Sequence, residues 1–115
     1  MLTLPIKKKW FDMIASGEKT EEYREIKPYY DSRFMNAFGF ILVGGQMVYG
    51  DAAPEETRKP WPVPIAFRNG YSKESSEIIC KCTLHFGEGK PEWGAKPGKL
   101  YYVLKIQETE KEAGQ

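Results

Sequence analysis

Histidine and cysteine are scarce in this chain, with one His and two Cys among 115 residues. His85 therefore has no second His with which to build a metal site or a catalytic triad. It alternates away from the apolar face of its predicted strand and reads as a surface residue. Cys80 and Cys82 are too few and too close together for a disulfide framework. Two apart on a strand they share a face, and a lone C-x-C without a matching pair is a poor zinc signal. Buried, reduced thiols are the expectation. Long apolar runs are missing too: nothing approaches the roughly 20 residues that a membrane-spanning helix needs. Nor does the start read as a signal peptide, because Lys7-Lys8-Lys9 interrupts a hydrophobic stretch that is already too short. A cytoplasmic protein with no membrane partner is expected, and the residues point to no cofactor and no metal.

An excess of one charge is also absent. The formal net charge is +1, which makes no global case for nucleic acid. Gln107 to Gln115 carry a net −2, leaving +3 on Met1 to Ile106. That is enough for a local phosphate site but not for a broad one.

What is present is the mix of an ordinary globular domain, 41% hydrophobic and 29% charged. One domain over residues 1–107 is expected, followed by a charged, flexible tail over 108–115. Leu2 to Ile6 begins as an alternating strand whose Pro5 suits an edge or a strand end. Trp10, Met13 and Ile14 then repeat at helical spacing, and Ser16-Gly17 stops that helix. Lys7, Lys8 and Lys9 sit in its first turn, where cations oppose the helix dipole. A second helix is predicted from Lys27-Pro28 to Phe38-Gly39, with Tyr30 and Phe34 on one face. Gly44 to Pro64 reads as a long surface loop, with a short strand at Phe40–Val43 or at Met47–Tyr49. Val63–Phe67 restores order, and Asn69-Gly70 signals a tight turn. In Ile78–Phe86 the apolar face is Ile78, Cys80, Cys82, Leu84 and Phe86. In Leu100–Ile106 it is Leu100, Tyr102, Leu104 and Ile106. Early helices followed by a run of strands predict an α+β fold of about five or six mostly antiparallel strands that curl into a small barrel.

One stretch resists this patterning. Thr20, Glu22 and Arg24 point one way along a predicted strand, and Glu21, Tyr23 and Glu25 the other. Neither face is apolar, so the strand lies at a wet sheet edge or lines a polar cleft. Lys19 and Glu22 suit an activated amine with a general base, or a plain surface salt bridge. Glu22 and Arg24, sharing a face, can pair with each other, and Arg24 can bind phosphate or carboxylate as a fork. Arg68, Asn69, Gly70 and Tyr71 place a cation, an amide and an aromatic in one turn, a set suited to a nucleotide or to a hairpin with a core Tyr. Trp10, on the apolar helix face, is expected in the core. Trp93 is the better stacking platform, and Trp61, between prolines, a loop anchor.

The run Gly17-x-Lys19-x-x-Glu22-x-Arg24, preceded by Lys9-Trp10-Phe11-Asp12-Met13-Ile14, resembles the ASCH domain family. Lys27-Pro28-Tyr29-Tyr30, Phe67-Arg68-Asn69-Gly70-Tyr71 and Glu92-Trp93-Gly94 resemble a subgroup often found in phages and bacteria. The resemblance implies a PUA-like β-barrel with a cleft at the helix–strand junction that binds RNA or a modified nucleoside or nucleotide. Arg24, Arg68, Tyr71, Lys9 and Trp93 would be its binding residues. Some small members of the family resemble amidohydrolases that deacylate N4-acylcytidine-type nucleosides with a Lys, a Thr and a Glu. Lys19 matches that Lys, Glu22 stands at the Thr position, and Glu77 is the trial assignment for the Glu. Lys19 and Glu22 are thus the catalytic candidates of the alternative, hydrolytic reading. A third reading, a protein-interaction module, predicts an exposed apolar patch around Trp61 and no cleft at Lys19.

Overall fold

A computed structural model describes residues 1–112, with side chains through Glu110. The fold is α+β. Strand β1 (Thr3–Ile6) leads into helix α1 (Lys8–Ala15), strand β2 (Glu21–Glu25) and helix α2 (Pro28–Phe38). Strands β3 (Ile41–Val43) and β4 (Gln46–Val48) form a small hairpin. Two short 3₁₀ turns precede β5 (Val63–Asn69), β6 (Glu77–Glu88) and β7 (Leu100–Glu112).

The main sheet has the order β1-β5-β6-β7-β2, with β1 parallel to β5 and the other neighbours antiparallel. It curls into a half-barrel rather than a closed one. Among the described residues the expected five or six strands are seven, because both candidate segments after α2 form strands and pair as the β3–β4 hairpin. A second difference concerns the C-terminal segment. Thr109 pairs with Cys80 and Glu108 with Lys81, so the stretch 108–112, expected as a tail, is ladder. The polar alternation there suits a strand exposed on its flanks. The remainder of the expected tail lies outside the described residues.

Helix ends fall where the glycines are. Gly17 takes φ +84° after α1, and Gly39 caps α2 in the left-handed conformation while donating to the Met35 carbonyl. A Cβ on Gly39 would also collide with the Thr57 carbonyl, so this position serves both the cap and the docking of the middle loop. Trp61 completes that docking. Its indole donates to the Phe38 carbonyl at 2.6 Å and stacks on Tyr49 at 4.1 Å. Trp61 is therefore a half-buried loop anchor, as expected of a Trp between prolines.

The core lies between the helices and the inner face of the half-barrel. It gathers Phe11 and Ile14 of α1, Phe34 and Phe38 of α2, and Ile78, Cys80, Cys82, Leu84, Tyr102 and Leu104 of the sheet. These are the faces that alternation marked on β6 and β7, save that Leu100 is exposed and Phe86 and Ile106 are only partly buried. Both thiols are free and buried, and burial pushes Cys80 up to about 11. The opposite face of β7 is not solvent-facing. Tyr101 and Val103 pack with Tyr23 and Ala95 in a second, smaller cluster roofed by the β6–β7 connection. Gly89 permits this, since a Cβ there would lie 2.7 Å from the Tyr23 ring.

Candidate functional site

Register explains the strand that had no apolar face. Glu22 pairs across the ladder with Leu104, and Arg24 with Tyr102, so both project on the face that carries the main core. Tyr23 lies opposite Val103 and projects into the second cluster. β2 is an edge strand, and beyond Glu22 and Arg24 the core face gives way to a cleft. The other edge of the sheet, β1, stands on the far side of that cleft. Backbone pairing does not close the seam. Instead Arg24 donates from Nη2 to the Pro5 carbonyl of β1 at 2.8 Å, and from Nη1 to Glu22 and to the Tyr23 carbonyl at 2.6 and 3.0 Å. One guanidinium thus spans the two edges of the half-barrel.

Lys19 forms the other half of the arrangement. It follows Gly17, and its backbone N–H donates to the Met13 carbonyl, folding it back under α1. Only 1% of the residue is exposed. Its ammonium donates to the Trp93 carbonyl at 2.8 Å and to Glu22 Oε1 at 2.9 Å, and lies 4.5 Å from the Trp10 ring centroid and 5.3 Å from that of Tyr23. Burial lowers the Lys19 pKa, and the Glu22 carboxylate opposes that shift. Glu22, 4% exposed, divides its oxygens, Oε1 to Lys19 and Oε2 to Arg24 at 2.6 Å. A cation–anion–cation chain therefore runs through the seam with its hydrogen-bonding demands met, the condition under which buried ions are tolerated. No buried side-chain nitrogen or oxygen lacks a partner among the described residues.

The cleft above this chain has a volume of about 940 Å³. Trp10, Tyr30, Tyr71, Trp93 and Tyr101 line it, and Lys7, Lys8 and Lys27 stand at its basic wall. Glu22 and Arg24 present their open sides to it. Aromatic faces beside cations and one shielded carboxylate make a site for a flat polar ligand carrying negative charge.

The structure places the expected site residues unevenly. Glu22, Arg24, Tyr71 and Trp93 line the cleft. Tyr71 is 89% exposed at its mouth, not the core residue a simple hairpin would have made it. Asn69 ends β5, and the Gly70 N–H donates to the Ile6 carbonyl, so the turn holds the cleft wall instead of closing a two-residue hairpin. Lys19 lies beneath the cleft, sealed by its partners. Lys9 is directed over the Trp10 ring at 4.7 Å and is not part of the wall. Arg68 pairs with Glu77 at 2.7 Å and also stays out of the lining. That pair removes Glu77 as a partner for Lys19. Trp10, expected in the core, is half-buried, packs against the core's edge and lines the cleft, with the Lys19 ammonium 4.5 Å from its ring centroid. Tyr30 and Lys27 line the cleft without having been singled out as site residues; their place beside the polar strand was the available signal. His85 is half-buried and within 2.8 Å of the Thr83 hydroxyl, and burial with Lys105 nearby lowers its pKa. Among the described residues no cluster of His, Cys, Asp and Glu can hold a metal, and no helix is long and apolar enough to cross a membrane.

No family model, no curated protein and no solved structure matches this chain.

Proposed function

We propose that the chain is an ASCH-type, PUA-like domain that binds RNA or a modified nucleoside or nucleotide in the seam cleft. The observation that carries this reading is the composition of the cleft wall: aromatic faces at its mouth and sides, cations along one rim, and Glu22 held in a fixed orientation by Lys19 and Arg24. A stacked base uses the aromatics, a phosphate uses Lys7 or Lys27, and Glu22 accepts from an exocyclic amine or a ribose hydroxyl. Lys19 and Arg24 build the site by holding Glu22 and the seam. The family resemblance of the signature residues points the same way.

A thermal-shift screen of nucleosides, nucleotides and short RNAs tests it, followed by titration of Tyr71→Ala and Lys27→Ala. Both side chains are exposed or rim residues, so the variants should fold. Loss of a stacking contact at Tyr71 should weaken binding by about 1–3 kcal/mol. If no compound in the screen shifts the melting temperature, the reading falls.

A second reading, an amidohydrolase acting on acylated cytidines, is favoured by one observation. Burial lowers the Lys19 amine, the change a catalytic Lys requires. Against it, that amine donates to Trp93 and Glu22 and does not line the cleft. Release of free acid from N4-acetylcytidine, abolished by Lys19→Arg, would establish hydrolysis; intact substrate after prolonged incubation would end that reading.

A further inference from the structure

A second concavity, of about 460 Å³, lies on the other side of α2, between that helix and the β1–β5 edge. Arg33, Asn36 and Lys59 supply its polar side, Leu2, Ala37 and Val63 its apolar floor, and no acidic residue lines it. Most cations near the cleft have carboxylate partners: Lys8 has Asp12, Arg24 has Glu22, and Lys27 and Lys99 share Glu25. Arg33 and Lys59 have none among the described residues.

Arg33 is nevertheless tied to its own helix. Its guanidinium lies 3.5 Å from the Tyr29 ring centroid, and Nη1 donates to the Tyr29 carbonyl at 2.9 Å. Tyr29 in turn packs edge-on against Tyr30, which is stacked on Phe34 of the core. A guanidinium immobilised on an aromatic face, with donors to spare and no countercharge, has already lost the rotamer freedom that binding an anion would cost. Tyr29 and Tyr30 line the seam cleft, whereas Arg33 lines the second concavity. The Tyr29–Arg33 stack is therefore the ridge joining the two. Tyr29, Arg33 and Asn36 follow one another at i, i+4 and i+7 on the same helix face, spanning roughly 10 Å along α2.

Building on the nucleotide-binding reading of the cleft, we propose that the ligand is a single-stranded oligonucleotide that leaves the cleft over this ridge. Its next phosphates sit on Arg33 and Lys59, and a base rests on the apolar floor beside Asn36. The ridge makes the second concavity a continuation of the first, and charge complementarity selects a polyanionic strand. A lone nucleotide would leave this groove unused.

Labelled oligouridylates from one nucleotide to about eight, within the site sizes of single-strand binders, test this by fluorescence anisotropy at several salt concentrations. With the wild-type protein, affinity should climb beyond the length that fills the cleft. The double variant Arg33→Ala/Lys59→Ala should bind uridine monophosphate as before. It should lose at least about tenfold in affinity for the longest oligomer, and its salt slope should fall by about 1.4, or 0.7 for each phosphate contact removed. Both side chains are exposed, and a thermal melt verifies that the variant is folded. Arg33→Lys should keep the salt slope but lose part of the affinity, because it keeps the charge and loses the flat stack. An unchanged length dependence and slope in the double variant would overturn the inference while leaving the cleft reading intact. Binding of uridine monophosphate with no gain from length would do the same. An oligoglutamate of equal charge that binds as tightly as the oligouridylate would also overturn it. Failure of every probe, the mononucleotide included, would remove both readings.

Discussion

Arg24–Glu22 and Arg68–Glu77 are the same chemical pair in two different settings. Arg68 and Glu77 sit opposite each other in the β5–β6 ladder, so their contact follows from strand register. Their side chains are 21% and 25% exposed, and among the described residues no third charge joins them. Arg24 and Glu22 are neighbours along one strand, their side chains 14% and 6% exposed, and both hold something besides each other. Arg24 reaches the Pro5 carbonyl across the seam, and Glu22 reaches Lys19, which reaches the Trp93 carbonyl. The first pair decorates a ladder that backbone bonds already hold. The second borders the seam between β1 and β2, which no backbone ladder closes, and through it α1, β1, β2 and the Trp93 turn meet. An ion pair gains structural weight when it is dry and when its partners belong to elements nothing else connects.

That contrast can be broken most directly at Glu22. Glu22→Gln leaves two cations in a dry site without their anion and should cost about 3–5 kcal/mol. Urea denaturation measures it, and a loss below about 1 kcal/mol would put this pair on a level with any surface pair. Arg24→Lys is the next largest. It keeps the charge but cannot reach Glu22, the Tyr23 carbonyl and the Pro5 carbonyl together, and should cost about 2 kcal/mol through lost charge-assisted bonds. Amide exchange at β1 and β2 should rise in this variant more than in the β5–β6 ladder; equal protection would argue against a seam role. Arg68→Ala, Glu77→Ala and their double variant should yield a coupling energy below about 1 kcal/mol. A larger value would erase the distinction.

The smallest effect sharpens the comparison through pH. Burial lowers Lys19 from its ordinary 10.5, so the folded protein gives up this proton more readily than the unfolded chain. The associated stability is fully present above 10.5 and is lost as pH falls through the lowered value. The stability difference between wild type and Lys19→Met should therefore rise with pH across that window. A flat profile for Lys19 would mean that its burial is compensated in full by Glu22.

Much of the fold was legible because local chemistry dictates it. Gly17 and Gly39 stop helices through their left-handed conformations, and the alternation in Ile78–Phe86 marks the core face of β6. The pairing of Glu22 with Arg24 was also readable, since residues two apart on a strand share a face. Other features had no local signal. Tyr101 and Val103 read as an outer face, and only the returning β6–β7 connection covers them. Trp10 read as core because its spacing is apolar, yet it borders a charged neighbour that arrives from beyond the helix. Arg68 read as a site residue because its own turn is polar, while its carboxylate partner comes from the next strand.

The sequence by itself determined where the chain turns, which faces of its longest strands are apolar, and that the stretch around Lys19, Glu22 and Arg24 has no ordinary core to enter. Only the tertiary structure decided that this stretch borders a cleft over the core instead of lying at a bare edge, that Lys19 lies under the cleft instead of in it, and that a guanidinium spans the open seam. The physical reason is sequence distance. Trp93 is 74 residues from Lys19 and Pro5 is 19 from Arg24. Burial of a charge depends on such partners being brought together, and local pattern carries no record of them.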